Sequence, residues 1–374
     1  MTGFVPPTFP QDRLDDLRVT AAAVPGGSVD TSIGTPVDPV PEIALRAMAD
    51  AAPGSAGYPP SIGTPALREA AAGWMRRRLG VDVAPSAVAA CVGTKEMVAS
   101  LPRLLSLRDP TRDTVLYPAV SYPTYEMGAV LAGLRAVPVP VDDEWRLDVS
   151  RVSAEDAERA LLLWLNEPCN PTGASTPVAD LAAIVEWALE RDTVVASDEC
   201  YVELTWDGPP RTSLEWGTDG VLAVHSISKR SNLAGLRAGF YAGDADLVRY
   251  LGEVRKHAGF MVPGPVQAAA ITAWADDGHV EAQRERYLAR LQAMSLALGK
   301  AGIDAPLPAG AFYLWVPAPG GDSWALARHL AAAGGALVSP GEFYGPAGNG
   351  FVRVAVVQPD DRIALVADRL AATT

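Results

Sequence analysis

The stretch "VLAVHSISKRSNLAGLRAG", residues 221–239, decides how the chain is read. It opens on a short apolar run of the kind that forms a strand buried on both faces, and Ser226, Ser228 and Lys229 follow at once. Arg237 comes eight residues after the lysine, with Gly235 and Gly239 on either side. Strands buried on both faces belong to parallel sheets covered by helices, and open parallel sheets bind ligands beyond the carboxyl ends of their strands. Working outward, "DTVLYP" (113–118), "ALLLWLNEP" (160–168) and "TVVASDE" (193–199) predict three further strands, each ending in polar residues. "PVADLAAIVEWALERD" (177–192) predicts an intervening helix that opens on proline. The fold class expected is therefore α/β, a mainly parallel central sheet with helices on both faces.

Beyond residue 255 the pattern changes to a long amphipathic helix, "GHVEAQRERYLARLQAMSLALGKAG" (278–302), then "AFYLWVP" (311–317), a helix from Trp324 and "GNGFVRVAVV" (348–357). This predicts a smaller α+β domain. The division expected is 1–45 for an N-terminal arm and part of the small domain, 46–255 for the large domain and 256–374 for the small C-terminal domain. The first forty or so residues are rich in Pro and Gly and are expected to lie across a domain or subunit surface.

The 374 residues are 49% hydrophobic and 20% charged, with a net charge of -13. That charge, with no basic tract to offset it, argues against nucleic acid as a partner. No apolar run is long enough to span a bilayer and the N-terminus lacks the order of a secretory signal, so no membrane association and a cytoplasmic location are expected. Cys91, Cys169 and Cys200 are odd in number and far apart, and no His or Cys pair has zinc spacing, so neither a disulfide framework nor a metal is expected.

Four strand ends carry the chemistry: Tyr122 with Tyr125, Asn166 with Asn170, Asp198 with Tyr201, and Ser226 with Ser228 and Lys229. Each alone has a structural explanation, a cap for Asp198, a turn for Asn170, a solvated surface for Lys229. Together they suit pyridoxal 5'-phosphate. A desolvated lysine is nucleophilic toward an aldehyde, and a buried carboxylate such as Asp198 keeps a pyridine nitrogen protonated. Tyr201 and Asn170 can hydrogen-bond the ring's phenolic oxygen. Ser226 and Arg237 can grip phosphate oxygens, and Gly93, Thr94 and Lys95 in "VGTKEMVASLPRLL" stand where a loop becomes a helix whose amides receive an anion.

The segments "NEPCNPTG" (166–173), "SDECY" (197–201) and "SISKRSNLAGLRAG" (226–239), with "GYPPSIGTPALREA" (57–70), resemble the signature segments of class I/II aminotransferases of the aspartate aminotransferase fold. The resemblance implies fold type I of the pyridoxal-phosphate-dependent transferases. It implies Lys229 as the lysine that bonds the cofactor, Asp198 as partner of its ring nitrogen, and Asn170 and Tyr201 at its phenolic oxygen. Ser226, Arg237 and the amides of Thr94 and Lys95 would hold the phosphate. Tyr58 resembles the tyrosine that reaches the neighbouring subunit's phosphate, which implies a homodimer with shared sites. Arg353 resembles the arginine that takes the substrate α-carboxylate, and Gly34 the glycine beside it. The family often stacks an aromatic residue on the ring where this chain has Ala119 and Val120, so Tyr122 is taken for that place, with Tyr125 as rival.

"SIGTPVDPVP" (32–41), "SYPTYEMGA" (121–129), "RKHAGFMVPGPVQAA" (255–269) and "VSPGEFYGPAG" (338–348) are similar to the succinyldiaminopimelate aminotransferases of actinobacteria. That likeness implies amino transfer between L-glutamate and N-succinyl-2-amino-6-oxopimelate in lysine and diaminopimelate biosynthesis. A long dianionic substrate asks for cations, and Arg255, Lys256, His257 and, more weakly, Arg230 are the candidates, unless the first three are a solvated helix end. The enzymatic alternatives are another class I/II aminotransferase of broad amino-acid specificity and a C–S lyase on the same frame. A cofactor-sensing regulator is disfavoured by the acidic chain and by the roughly thirty residues before "SIGTPVDP".

Overall fold

The structure, a computed structural model, describes residues 4–372. The chain forms two compact units, Asp38–Arg286 with Ala309–Ala311, and Met1–Val37 with Tyr287–Pro308 and Phe312–Thr374. Strands are numbered along the chain. After β1 (Val29–Asp30), which belongs to the smaller unit, come the strands of the larger: β2 (Val88–Cys91), β3 (Thr114–Pro118), β4 (Arg135–Val139), β5 (Ala160–Asn166), β6 (Val194–Asp198), β7 (Val221–Ser226) and β8 (Gly239–Gly243). They build one seven-stranded sheet in the order β2-β8-β7-β6-β5-β3-β4. The run from β4 to β7 is parallel throughout, whereas β8 pairs antiparallel with both β7 and β2.

The local reasons are those of the sequence. β5 is buried at every position, as an uninterrupted apolar run requires. The helix Val178–Leu189 begins after Pro177 and buries Leu181, Ile184, Val185 and Ala188, the spacing of one helical face.

The expected boundary at residue 256 moves to 286/287. The helix Gly264–Ala275 packs on the helices Glu42–Ala51 and Pro65–Trp74 of the larger unit. Buried Ala269, Ala270 and Ala273 on one side and Ala44, Ala71 and Ala72 on the other are small enough for the backbones to approach closely. The predicted long helix is observed as Gly278–Lys300, and the division between the units falls within it.

In the smaller unit β1 pairs parallel with β10 (Ala336–Leu337), while β9 (Tyr313–Pro317), β11 (Ser339–Pro340) and β12 (Phe351–Ala355) form an antiparallel sheet centred on β12. The N-terminal residues are more than a surface arm. The helix Asp15–Ala22 packs on the helix Ser323–Gly334, burying Leu17 and Ala21, because Leu14, Leu17 and Ala21 recur at helical spacing in an otherwise polar stretch.

Trp74 ties the core of the larger unit together at 1% exposure, its ring 4.6 Å from that of Trp274, 4.8 Å from His225 and 5.9 Å from Phe240. Trp74→Ala is expected to lower stability by about 3–5 kcal/mol, the usual cost of an emptied aromatic site, measured as a shift of the urea unfolding midpoint at unchanged slope.

Candidate active site

The direction of β8 assembles one edge of the sheet. β5 and β6 end level with each other, Asn166 beside Asp198, and β7 runs on to Ser226. Because β8 is reversed, it begins at that edge, with Gly239 paired to Ser226 on one side and to Cys91 on the other. Arg237, two residues before β8, thus meets Gly93, two residues after β2. Gly93 has φ +74° and caps the helix Thr94–Arg108, and a Cβ there would lie 2.2 Å from Arg237 Nη2. The positive φ is what calls for glycine here, and the absence of a side chain lets the Arg237 guanidinium lie against its backbone.

Lys95, one residue into the same helix, has its Nζ 5.9 Å from the centre of the Tyr122 ring. Burial, and then repulsion by Arg237, hold its ammonium below the usual lysine range. Two cations and a helix N-terminus in one place form a site that an anion relieves. Thr94 faces inward, its Oγ1 3.1 Å from Cys200 Sγ.

Asp198 is buried at the end of β6. Its Oδ2 accepts from the Tyr125 hydroxyl at 3.1 Å and its Oδ1 from the Cys200 amide at 3.3 Å. Burial pushes this carboxyl above its ordinary range, opposed by the hydrogen bonds from Cys200 and Tyr125 and by the attraction of Lys229. Tyr125 is entirely buried, its ring stacked on that of Trp164 at 5.2 Å, and its hydroxyl supports Asp198. Tyr122 stands edge-on to it at 5.9 Å and remains the candidate for the cofactor's face.

Asn170 is buried and its amide donates to Asn166 Oδ1 at 2.7 Å, while Asn166 Nδ2 donates to the Asp198 carbonyl at 2.8 Å. Asn166 thus joins the 167–176 loop to β6. Tyr201 is buried in the turn that follows Asp198. Ser226 caps the short helix Ile227–Arg230 that carries Lys229: its Oγ accepts from the Ser228 amide at 3.0 Å and donates to Ser228 Oγ at 2.8 Å.

In the smaller unit, Arg353 on β12 is 4% exposed. Its Nη2 donates to the Ser32 carbonyl at 2.6 Å, and its guanidinium lies 4.2 Å from the Tyr313 ring and 4.8 Å from that of Tyr344. Gly34 sits against the same Tyr313, where a Cβ would come within 2.2 Å of the hydroxyl. Tyr58, in the larger unit, is 95% exposed.

The cations considered for a second carboxylate are engaged elsewhere. Arg255 is buried on Glu96, and Arg230, 3% exposed, pairs with Glu203, which also receives Arg78 at 2.9 Å. Lys256 and His257 are exposed, Lys256 3.7 Å from Glu253. Among the described residues no group of three or more His, Cys, Asp and Glu could hold a metal, and no helix is long and apolar enough to cross a membrane.

A fold-type-I sheet edge with a lysine, a buried aspartate and an anion cradle defines a pyridoxal-phosphate-dependent transferase, and the comparisons agree. The chain belongs to the aminotransferase class I and II family, whose model matches residues 29–370, and it is a pyridoxal-phosphate-dependent aminotransferase with the aspartate aminotransferase fold. It is 47% identical to the 4-dedimethylamino-4-oxo-anhydrotetracycline transaminase OxyQ of Streptomyces rimosus, over 97% of this chain and 99% of that one. It is 34% identical to the LL-diaminopimelate aminotransferase of Desulforudis audaxviator, over 96% and 93%. A solved structure of a probable N-succinyldiaminopimelate aminotransferase from Thermus thermophilus superposes with a TM-score of 0.87 at 30% identity, covering 97% of this chain and all of that one. The residues present fit the cofactor: the Arg237 guanidinium lies against the Gly93 backbone at the helix start, and the donor set suits a phosphate at one end and a pyridinium at the other.

Behind the site, Glu199 is buried and accepts at Oε1 from the Ser213 amide at 2.8 Å and hydroxyl at 3.1 Å. Burial pushes its carboxyl up to about 7 against those hydrogen bonds, and burial also lowers His225, 3.4 Å away, to about 3. His225 is neutral, so this contact is no ion pair.

Two expectations follow. Gly93→Ala weakens binding of pyridoxal phosphate to the apoprotein at least about fivefold, since positive φ alone disfavours alanine by about 1 kcal/mol, as checked by absorbance titration. Glu199 keeps its proton in the fold and loses it in the unfolded chain, so stability falls as pH rises from the model-peptide value of 4.5 toward about 7. Glu199→Gln flattens that fall in urea unfolding midpoints; an unchanged slope contradicts the assignment.

Proposed function

We propose that the chain transfers an amino group between L-glutamate and N-succinyl-2-amino-6-oxopimelate, yielding 2-oxoglutarate and N-succinyl-L,L-2,6-diaminopimelate, as a cytoplasmic homodimer in lysine biosynthesis. The observation that carries the reaction is the gathering of Lys229, Asp198, Asn170, Ser226, Arg237 and the Gly93–Lys95 helix start along one sheet edge. Support for the substrate comes from the likeness of "SIGTPVDPVP", "RKHAGFMVPGPVQAA" and "VSPGEFYGPAG" and from the Thermus thermophilus structure. The likeness of Tyr58 to the family's phosphate-reaching tyrosine supports a dimer, and its 95% exposure leaves it accessible to a neighbouring subunit.

When bound, the cofactor supplies an electron sink for negative charge at the substrate's Cα. Lys229 would hold the cofactor's aldehyde carbon through Nζ and, as a positioned base, would carry the proton removed from the substrate's Cα. Asp198 holds the proton on the ring nitrogen, and Tyr125 and the Cys200 amide keep the carboxylate aimed. Asn170 and Tyr201 would hydrogen-bond the phenolic oxygen, Tyr122 would lie on the ring, and Ser226, Ser228, Arg237 and the amides of Thr94 and Lys95 would bind the phosphate. Tyr58 reaches the phosphate in the neighbouring subunit. Arg353, with Gly34 leaving space beside it, binds the α-carboxylate of both amino acids. Since a carboxylate held this way is not readily lost, the arrangement favours transfer over decarboxylation.

A second reading is favoured by the burial of Arg255 and Arg230 on Glu96 and Glu203, which removes two of the cations expected for a succinyl carboxylate. In that reading the acceptor is a ketone without an anionic tail, the kind of substrate named for OxyQ. Titration of the holoenzyme with glutamate, N-succinyl-L,L-diaminopimelate, L,L-diaminopimelate and aspartate, followed by the cofactor spectrum, separates these. Conversion by glutamate and by the succinylated amine, with parallel double-reciprocal plots, is expected. Conversion by glutamate alone overturns the substrate and leaves the reaction class standing.

A further inference from the structure

The helix Thr94–Arg108, whose first amides form the phosphate cradle of the preceding reading, is fixed at its start by a buried ion pair. Arg255 lies on the helix Ala245–His257, 1% exposed, and meets Glu96 end-on, Nη1 to Oε1 at 2.6 Å and Nη2 to Oε2 at 2.7 Å. Glu96 follows Lys95 directly. Its Oε2 also accepts from the Val92 amide at 3.2 Å, and its Oε1 from the Ser100 hydroxyl at 3.0 Å. One carboxylate therefore clamps the chain on both sides of Gly93, Thr94 and Lys95, much as a capping box does. The guanidinium is itself held between Phe260 at 4.8 Å and Tyr241 of β8 at 5.6 Å.

Two physical consequences bear on the cradle. A glycine at positive φ contributes no stiffness, so the direction of the Thr94 and Lys95 amides is set by what holds Val92 and Glu96. A bidentate Arg–carboxylate fork fixes orientation as well as distance. A carboxylate one residue from a phosphate site would also repel the anion, and Arg255 neutralises it. We propose that Arg255 and Glu96 are positioning residues for cofactor phosphate binding, acting through the Val92–Lys95 loop without touching the cofactor. The proposal rests on the cradle reading.

The test compares the apoproteins of Arg255→Met, Glu96→Gln and Arg237→Gln with wild type. Dissociation constants are measured for pyridoxal phosphate and for pyridoxal, which lacks the phosphate, and so is thermal protection by inorganic phosphate. Breaking a buried pair by removing one partner is costly, so Arg255→Met is expected to weaken pyridoxal phosphate by about tenfold or more while pyridoxal changes by less than about twofold, with phosphate protection lost. Glu96→Gln keeps the shape, and is expected to move in the same direction by a smaller factor if Arg255→Met fails to fold. Equal weakening of pyridoxal and pyridoxal phosphate, or unchanged cofactor affinity with only a lower melting temperature, overturns the positioning role. If Arg237→Gln loses phosphate binding while the other two keep it, this inference alone fails. If Arg237→Gln also keeps it, the cradle reading fails and the inference with it.

Discussion

The reversal of one strand inside an otherwise parallel sheet is the constraint on which the larger unit's candidate site depends. A sheet with every strand parallel would put the residues preceding β8 at the edge opposite the ends of β6 and β7. Running β8 backwards between β7 and β2 brings its first residue level with the last residues of both neighbours. Arg237, Ser226 and the start of the helix Thr94–Arg108 then share one edge with Asp198 and Asn166. Ladder hydrogen bonds enforce this register, so the gathering is backbone geometry first and side-chain chemistry second.

Charge burial is the second constraint, and each buried ion is met differently. Asp198 has a tyrosine hydroxyl and a backbone amide, Arg353 two aromatic faces and a carbonyl, Arg255 a carboxylate in bidentate contact, and Arg230 the shared Glu203. At this sheet edge burial disfavours the charged forms of Asp198 and Lys95, one acid raised and one base lowered. Both are relieved by a ligand carrying a cationic ring nitrogen and an anionic phosphate. Arg255 and Arg230 are satisfied within the chain and serve its architecture.

The strands were legible because a parallel sheet buried on both faces writes itself as apolar runs. The predicted 160–168 and 193–199, and the apolar run that opens 221–239, lie over β5, β6 and β7, the first two running at most two residues past an observed end. The antiparallel course of β8 was not legible, since "GFYAG" reads the same in either direction. The packing of residues 256–286 with the larger unit was equally hidden, because an alanine-rich helix shows no strong sidedness and its partners lie some two hundred positions earlier.

The amino-acid sequence by itself determined the fold class, the reaction family and the residue types at each strand end, because those follow from periodicity and from motifs only a few residues long. Only the tertiary structure decided which partner each charged or aromatic side chain would have. Arg255 reads as a substrate-binding cation or a basic helix end until Glu96 is seen across the fold, and Tyr125 reads only as a rival to Tyr122 until its hydroxyl is found on Asp198. The reason is physical: such pairings are fixed by the burial and register of elements far apart in the chain, and no local pattern encodes them.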